Sequence, residues 1–136
     1  MNYASRAIAL TYKKYGDTSI ISKIFTEGKG VQSFIIKAVR TKKSTKKLGL
    51  FQALTLLNIQ ATHQDKKKLQ YLKDIAVAPM KTTHSLNITK SFIYLFVAEV
   101  LSKILQDNKT DNALFTFIWT LRVELEKVDK IDKNFP

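Results

Sequence analysis

The stretch AIALTYKKYGDTSIISKIFTEGKGVQSFIIKAVR, Ala7 to Arg40, holds three apolar runs separated by two short polar links. The middle run, TSIISKIF (18–25), is ambiguous by periodicity, because Ile20, Ile21, Ile24 and Phe25 fit a helix as well as a strand. Its flanks decide the matter. YGD (15–17) before it and EGKG (27–30) after it are turn signals, and they favour a strand. SRAIALTY (5–12) is rich in β-compatible residues, and VQSFIIKAV (31–39) is β-branched and aromatic, with Gly30 allowing a tight bend before it. Links as short as 13–17 and 26–30 favour antiparallel neighbours over strands joined by helical crossovers.

Two more strand signals follow, ALTLLNIQA (53–61) and LQYLKDIAV (69–77), separated by the polar THQDKKK (62–68). In the last strand Leu69, Tyr71, Lys73 and Ile75 share one side, and Leu72, Asp74 and Ala76 share the other. Five antiparallel strands within residues 1–80 point to a small closed barrel. An oligonucleotide-binding (OB) barrel is the best-known solution of this size, and an SH3-like barrel competes on pattern alone. Near Pro79 the pattern changes. NITKSFIYLFVAEVLSKILQDN (87–108) reads as a helix, with Thr89 as a cap candidate and Glu99 four residues before Lys103. DNALFTFIWTLRVELEKV (111–128) reads as a second helix, opened by Asp111. The expected architecture is α+β, with a barrel over 1–80 and the start of a helical domain over 81–136. Phe92 to Ala98 is apolar all the way round and needs cover on several sides, so more chain or another subunit is expected there. Phe92, Leu95, Phe96, Phe115 and Trp119 read as core.

The chain has 136 residues, 45% of them hydrophobic and none of them cysteine. A packed core is within reach, while disulfides, thiolate metal sites and cysteine nucleophiles are excluded. No secretory pattern opens the chain, and the longest apolar run falls far short of the roughly 18 residues a spanning helix needs. A cytoplasmic setting is expected. The formal charge is +12, and its distribution is lopsided. Residues 1–80 hold 15 Lys and Arg against 4 Asp and Glu, whereas residues 81–136 hold 8 against 7. A one-sided basic field attracts polyanions through Coulomb forces and counterion release. Without a basic amphipathic helix, nucleic acid is favoured over a membrane surface.

The densest basic segment is AVRTKKSTKKLGL (38–50), with Arg40, Lys42, Lys43, Lys46 and Lys47 and no acid. Lys13 and Lys14 lie beside Tyr15 in the first inter-strand link, and Lys66, Lys67 and Lys68 precede the fifth strand. In OB barrels those two links flank the ligand face, so three basic loops can surround one groove, with Lys37 and Arg40 along its floor. Lys23 joins them only if it points outward. Among the aromatics Tyr12, Tyr15, Phe34, Phe51 and Tyr71, the core is the better place for Phe34 and Phe51, and Tyr15 is the best exposed platform. Binding dominated by charge, weak in sequence preference and steep in salt, is the expectation. His63 and His84 have no partners at metal spacing, and EGKG lacks the phosphate-loop pattern. No catalytic set, cofactor or metal is expected.

The ordered combination of the opening stretch, a lysine-rich insert, LGLFQALTLLNIQ, KLQYLKDI and FVAEVLSKIL resembles the amino-terminal part of RecO, the bacterial recombination mediator family. The resemblance runs through almost the whole chain. It implies an OB domain followed by helices, binding of single- and double-stranded DNA, and strand annealing. It further implies cooperation with RecR in replacing single-strand-binding protein (SSB) with RecA, and docking of the acidic SSB tail on the helical part. The setting would be the bacterial cytoplasm, at the nucleoid. Family chains usually continue further, which fits the uncovered helix, and the cysteine zinc site of some members is impossible here. An RNA-binding OB module and a scaffold for an acidic protein partner are the rivals.

Overall fold

The computed structural model describes residues 1–41, 45–80 and 88–128, without the side chains of Thr45 and Lys46. Five strands, β1 (Asn2–Tyr15), β2 (Ser19–Thr26), β3 (Gly30–Ile36), β4 (Leu56–Thr62) and β5 (Leu69–Val77), close into a barrel in the order β1-β2-β3-β5-β4. Between β3 and β4 lie a short helix, α1 (Thr45–Leu48), and a 3-10 turn at Gly49–Phe51. Two longer helices follow, α2 (Ile88–Ile104) and α3 (Asn112–Lys127). This is an OB-type barrel with a helical appendage.

Four of the five ladders are antiparallel, as expected from the short links, but β3 and β5 run parallel. A closed ring with an odd number of strands cannot alternate direction all the way round, so one parallel pair is unavoidable. The region around 49–53, expected to lead straight into a strand, instead forms the turn that seats Phe51 in the barrel interior, fully buried. Phe34 is buried beside it, so both phenylalanines are core.

The middle of β1 is buried on both faces. Ala7 and Ala9 face the barrel interior, while Ile8 and Leu10 face the helices, and all four are buried. A bulge between Ala9 and Thr11 then shifts the phase of the strand. A second bulge, opposite Gln60 and Ala61, falls at Lys73 of β5. Leu72 and Ile75 therefore both pack against the interior, although plain alternation placed them on opposite sides.

The helices are locked to the barrel at several points. Phe115 and Ile118 of α3 and Ala98 and Leu101 of α2 pack on Ile8, Phe25, Val31 and Leu56. The backbone of Asp107 pairs with Val31, and the Asn108 amide donates to the Val31 carbonyl at 2.9 Å, closing the part of β3 that β5 leaves free. Gly30 is required there: its φ is +71°, and a Cβ would lie 2.4 Å from the Lys109 carbonyl oxygen. Arg122 donates to the carbonyl of Leu54 at 3.0 Å, to the Tyr94 hydroxyl at 3.0 Å and to Glu126 Oε2 at 2.7 Å. Leu54 itself is buried with φ at +58°, a conformation that a leucine adopts only when its surroundings hold it there.

Asp111 caps α3 as expected, accepting from the Leu114 amide at 3.0 Å. Thr89 lies inside the first turn of α2 rather than ahead of it. Phe115 and Trp119 pack in the junction, but Phe92, Leu95 and Phe96 are 67%, 56% and 70% exposed, contrary to their reading as core. Barrel and α3 together cover only one side of α2. None of the described helices is long and apolar enough to cross a membrane.

Candidate nucleic-acid interface

The strand registers assemble a single outer face from β1, β2, β3 and β5. Thr11 pairs with Lys23, Lys23 with Ser33, and Ser33 with Leu69, which makes one row across four strands. Two residues along, Lys13 pairs with Ile21, Ile21 with Ile35, and Ile35 with Tyr71, which makes the next. Strands spaced ~4.8 Å apart make each row roughly 14 Å wide, and the rows lie roughly 7 Å from one another. Side chains at every second position share a face, so the two rows belong to one surface.

Two grooves cross this surface. The first, of about 660 Å³, runs between the barrel and the end of α2, and Tyr12, Lys13, Lys23, Lys68 and Lys103 line it. The second, of about 550 Å³, lies at the other end of the β3–β5 ladder, where Lys37, Lys47, Tyr71 and Lys73 line it together with Asp74. Ser33 and Leu69 border the first groove and Ile35 and Tyr71 the second, so the grooves follow one another along the same face. Among the described residues no ion pair involves Lys13, Lys14, Lys37, Lys47, Lys66, Lys67, Lys68 or Lys73. These ammonium groups stay in water and repel one another, an arrangement that gains energy only when an anion arrives.

The basic residues singled out above fall into separate groups. Lys13 and Lys68 meet in the first groove, and Lys37 and Lys47 in the second. Lys13 and Lys14 are not in a link: β1 continues through Tyr15, and Lys14 pairs with the inward-facing Ile20, on the side of the ribbon away from Lys13. Tyr15 is 47% exposed at the tip of that hairpin. Lys66 and Lys67 are exposed in the β4–β5 loop. Arg40 is committed elsewhere, donating from Nε to the Ser19 carbonyl at 3.0 Å and from Nη2 to the Gly16 carbonyl, where it braces the β1–β2 turn. Lys23 does point outward, yet its ammonium donates to the Ser102 carbonyl at 3.0 Å, at the negative end of α2. Lys42 and Lys43 lie outside the described residues, as does the side chain of Lys46.

Sequence reasoning passed over Lys73 and Lys103, whose approach to the face depends on a bulge and on the docking of α2. It weighed Tyr71 only as one aromatic among five. The signal for Tyr71 was its alternation with Leu69 on the side of β5 that proves to be the outer one.

Residues 1–80 match the family model described as the amino-terminal part of recombination protein O. The chain belongs to the RecO family. It is 34% identical to the DNA repair protein RecO of Flavobacterium psychrophilum over 133 residues, which cover 96% of this chain and 56% of that one. It is 34% identical over 137 residues to the protein of the same name from Flavobacterium johnsoniae, covering 99% and 57%. With RecO of Bacteroides fragilis the identity is 33% over 111 residues, covering 82% and 46%. The chain thus spans about half the length of these RecO relatives.

Proposed function

We propose that this chain is the DNA-gripping part of a recombination mediator in DNA repair, holding single- and double-stranded DNA by its phosphates with little sequence preference. The observation that carries the reading is the convergence on one outer face, in two consecutive grooves, of lysines that make no ion pair among the described residues. Lys13, Lys68, Lys37 and Lys47 supply the central contacts, with Lys73 and Lys103 added by the fold. Lys14, Tyr15, Lys66 and Lys67 extend the field at the rims. Lys42, Lys43 and Lys46 join on charge alone, in the segment that leads to the groove-lining Lys47.

Neutralising phosphates on such a face lowers the repulsion between two complementary strands, and annealing follows from that. The work is binding and not catalysis. The reading includes RecR, the SSB tail and, indirectly, RecA as partners, in the bacterial cytoplasm at the nucleoid. The DNA repair names of the relatives support it. The exposed Phe92, Leu95 and Phe96 support a protein partner on the helical side.

Titrating a labelled oligonucleotide at several salt concentrations tests the proposal. Combining Lys13→Glu, Lys37→Glu and Lys68→Glu should weaken binding and lower the salt slope by about 2, since each lost contact to a single strand removes ~0.7. Unchanged affinity and slope would remove this face from the mechanism. A preference for an acidic peptide over either nucleic acid would favour the scaffold reading instead.

A further inference from the structure

The outer face carries more than charge. The second row places Ile21 and Ile35, both partly exposed, side by side between Lys13 and Tyr71. Two β-branched apolar residues aimed outward on a nucleic-acid face bury nothing of note on their own. Tyr71 closes the row with 45% of its surface exposed, and the Lys37 ammonium hovers 5.9 Å from its ring centre. That contact is a weak one at an exposed site, so a flat ring can displace it and leave the ammonium beside the ring edge.

We infer that the row Ile21–Ile35–Tyr71 is a floor for nucleobases, with Tyr71 as its stacking platform, and that it makes this face favour single strands over duplex. The inference rests on the nucleic-acid reading above and deepens it. Lysines flank the row on both sides: Lys13 and Lys68 toward the first groove, Lys37, Lys47 and Lys73 toward the second. Phosphates of a strand crossing the row can meet cations on either side while its bases lie on apolar ground between them. A single strand can turn its bases toward the protein, whereas a duplex keeps its base faces stacked inside and offers only phosphates. Both therefore bind by charge, and only the single strand gains from the row. Because every base has a flat face, the gain carries little sequence preference.

The test compares three ligands with equal phosphate number: oligothymidylate, an abasic oligomer and a hairpin duplex. The abasic oligomer should bind the unmodified chain about ten-fold more weakly than oligothymidylate, with a similar salt slope. Tyr71→Ala should lower the ratio of single-strand to duplex affinity about ten-fold, and Tyr71→Phe should restore it, since stacking needs the ring and not the hydroxyl. Equal binding of abasic and base-bearing oligomers overturns the inference, and this arm needs no variant that has to fold. If the unmodified chain binds none of the three, the proposed function itself fails. If it binds all three, but without regard to bases, only the floor is lost.

Discussion

Lysine and arginine divide the labour of this protein between two regions. All three arginines are spent on architecture. Arg6 grips both oxygens of Glu27, at 3.2 and 2.7 Å, and lies over the rings of Phe115 and Trp119. Arg40 braces a turn through two carbonyls, and Arg122 ties Leu54, Tyr94 and Glu126 together. On the outer face the cations are lysines, and among the described residues they make no ion pair apart from that of Lys103 with its neighbour Glu99 on α2. The guanidinium fork suits fixed carbonyls, carboxylates and aromatic faces, whereas an ammonium on a flexible stem follows phosphates that arrive in varied positions. A formal charge of +12 therefore overstates the charge on offer, and the useful question about each cation is what already satisfies it.

The strongest way to break the contrast is to attack the junction. Arg122 and Glu126 are nearly buried, with 13% and 14% of their side chains exposed. Arg122→Ala takes the guanidinium from the nearly buried Glu126 carboxylate, leaving it the Tyr94 hydroxyl, and from the strained Leu54 carbonyl, so a loss of about 3 kcal/mol is expected. The midpoint of urea unfolding measures it. Oligonucleotide affinity of the folded fraction should hardly move, because the change lies away from both grooves. Gly30→Ala comes next, at about 1–3 kcal/mol, since it adds a side chain at positive φ against the Lys109 backbone. Faster hydrogen exchange at the Asn108 amide would show that the α2–α3 loop has let go of β3.

The opposite outcome is expected on the outer face. Replacing Lys13 and Lys68 with Gln should change stability by less than about 0.5 kcal/mol, because neither takes part in an ion pair among the described residues. The same pair should lower the salt slope of single-strand binding by about 1.4. A variant that lost stability instead would mean that the two regions are not separate after all.

These contrasts also show what the chain reveals before it folds. The five strands, the β1–β2 and β2–β3 turns, the Asp111 cap and the interior places of Phe34 and Phe51 were legible, because each follows from local pattern. Three things were not. The parallel β3–β5 pair joins segments more than thirty residues apart, and no local signal records it. The bulges at Leu10 and Lys73 shift the alternation, which moves Leu72 and Ile75 to the same side and brings Lys73 to the second groove. The fate of Arg40 depends on carbonyls supplied by a turn more than twenty residues upstream. For the candidate site, composition reported that cations were abundant, and only the registers reported which of them stand together.

The mildest test concerns an exposed pair on the barrel, beside the helices. Arg6 and Glu27 join β1 to the β2–β3 turn, with 40% and 36% of their side chains exposed. The hydrogen bond from Arg6 holds the Glu27 carboxyl below the usual carboxylate range, against the opposing pull of burial. Burial pushes the Glu126 carboxyl up, but the hydrogen bond and charge of Arg122, the Tyr94 hydroxyl and the charge of Lys90 together hold it low. A carboxyl whose folded value is lowered binds its proton more readily in the unfolded chain. Its stabilisation is therefore complete above the unfolded value of roughly 4.3, and fades as pH falls through the folded one. Glu27→Gln should remove part of this loss, so that its unfolding midpoint declines less steeply below about pH 5 than that of the unmodified chain. Water screens so exposed a pair, which keeps the difference below about 1 kcal/mol. Repeating the series in high salt should shrink the Glu27 contribution and spare that of the nearly buried Glu126, because screening reaches surface pairs first.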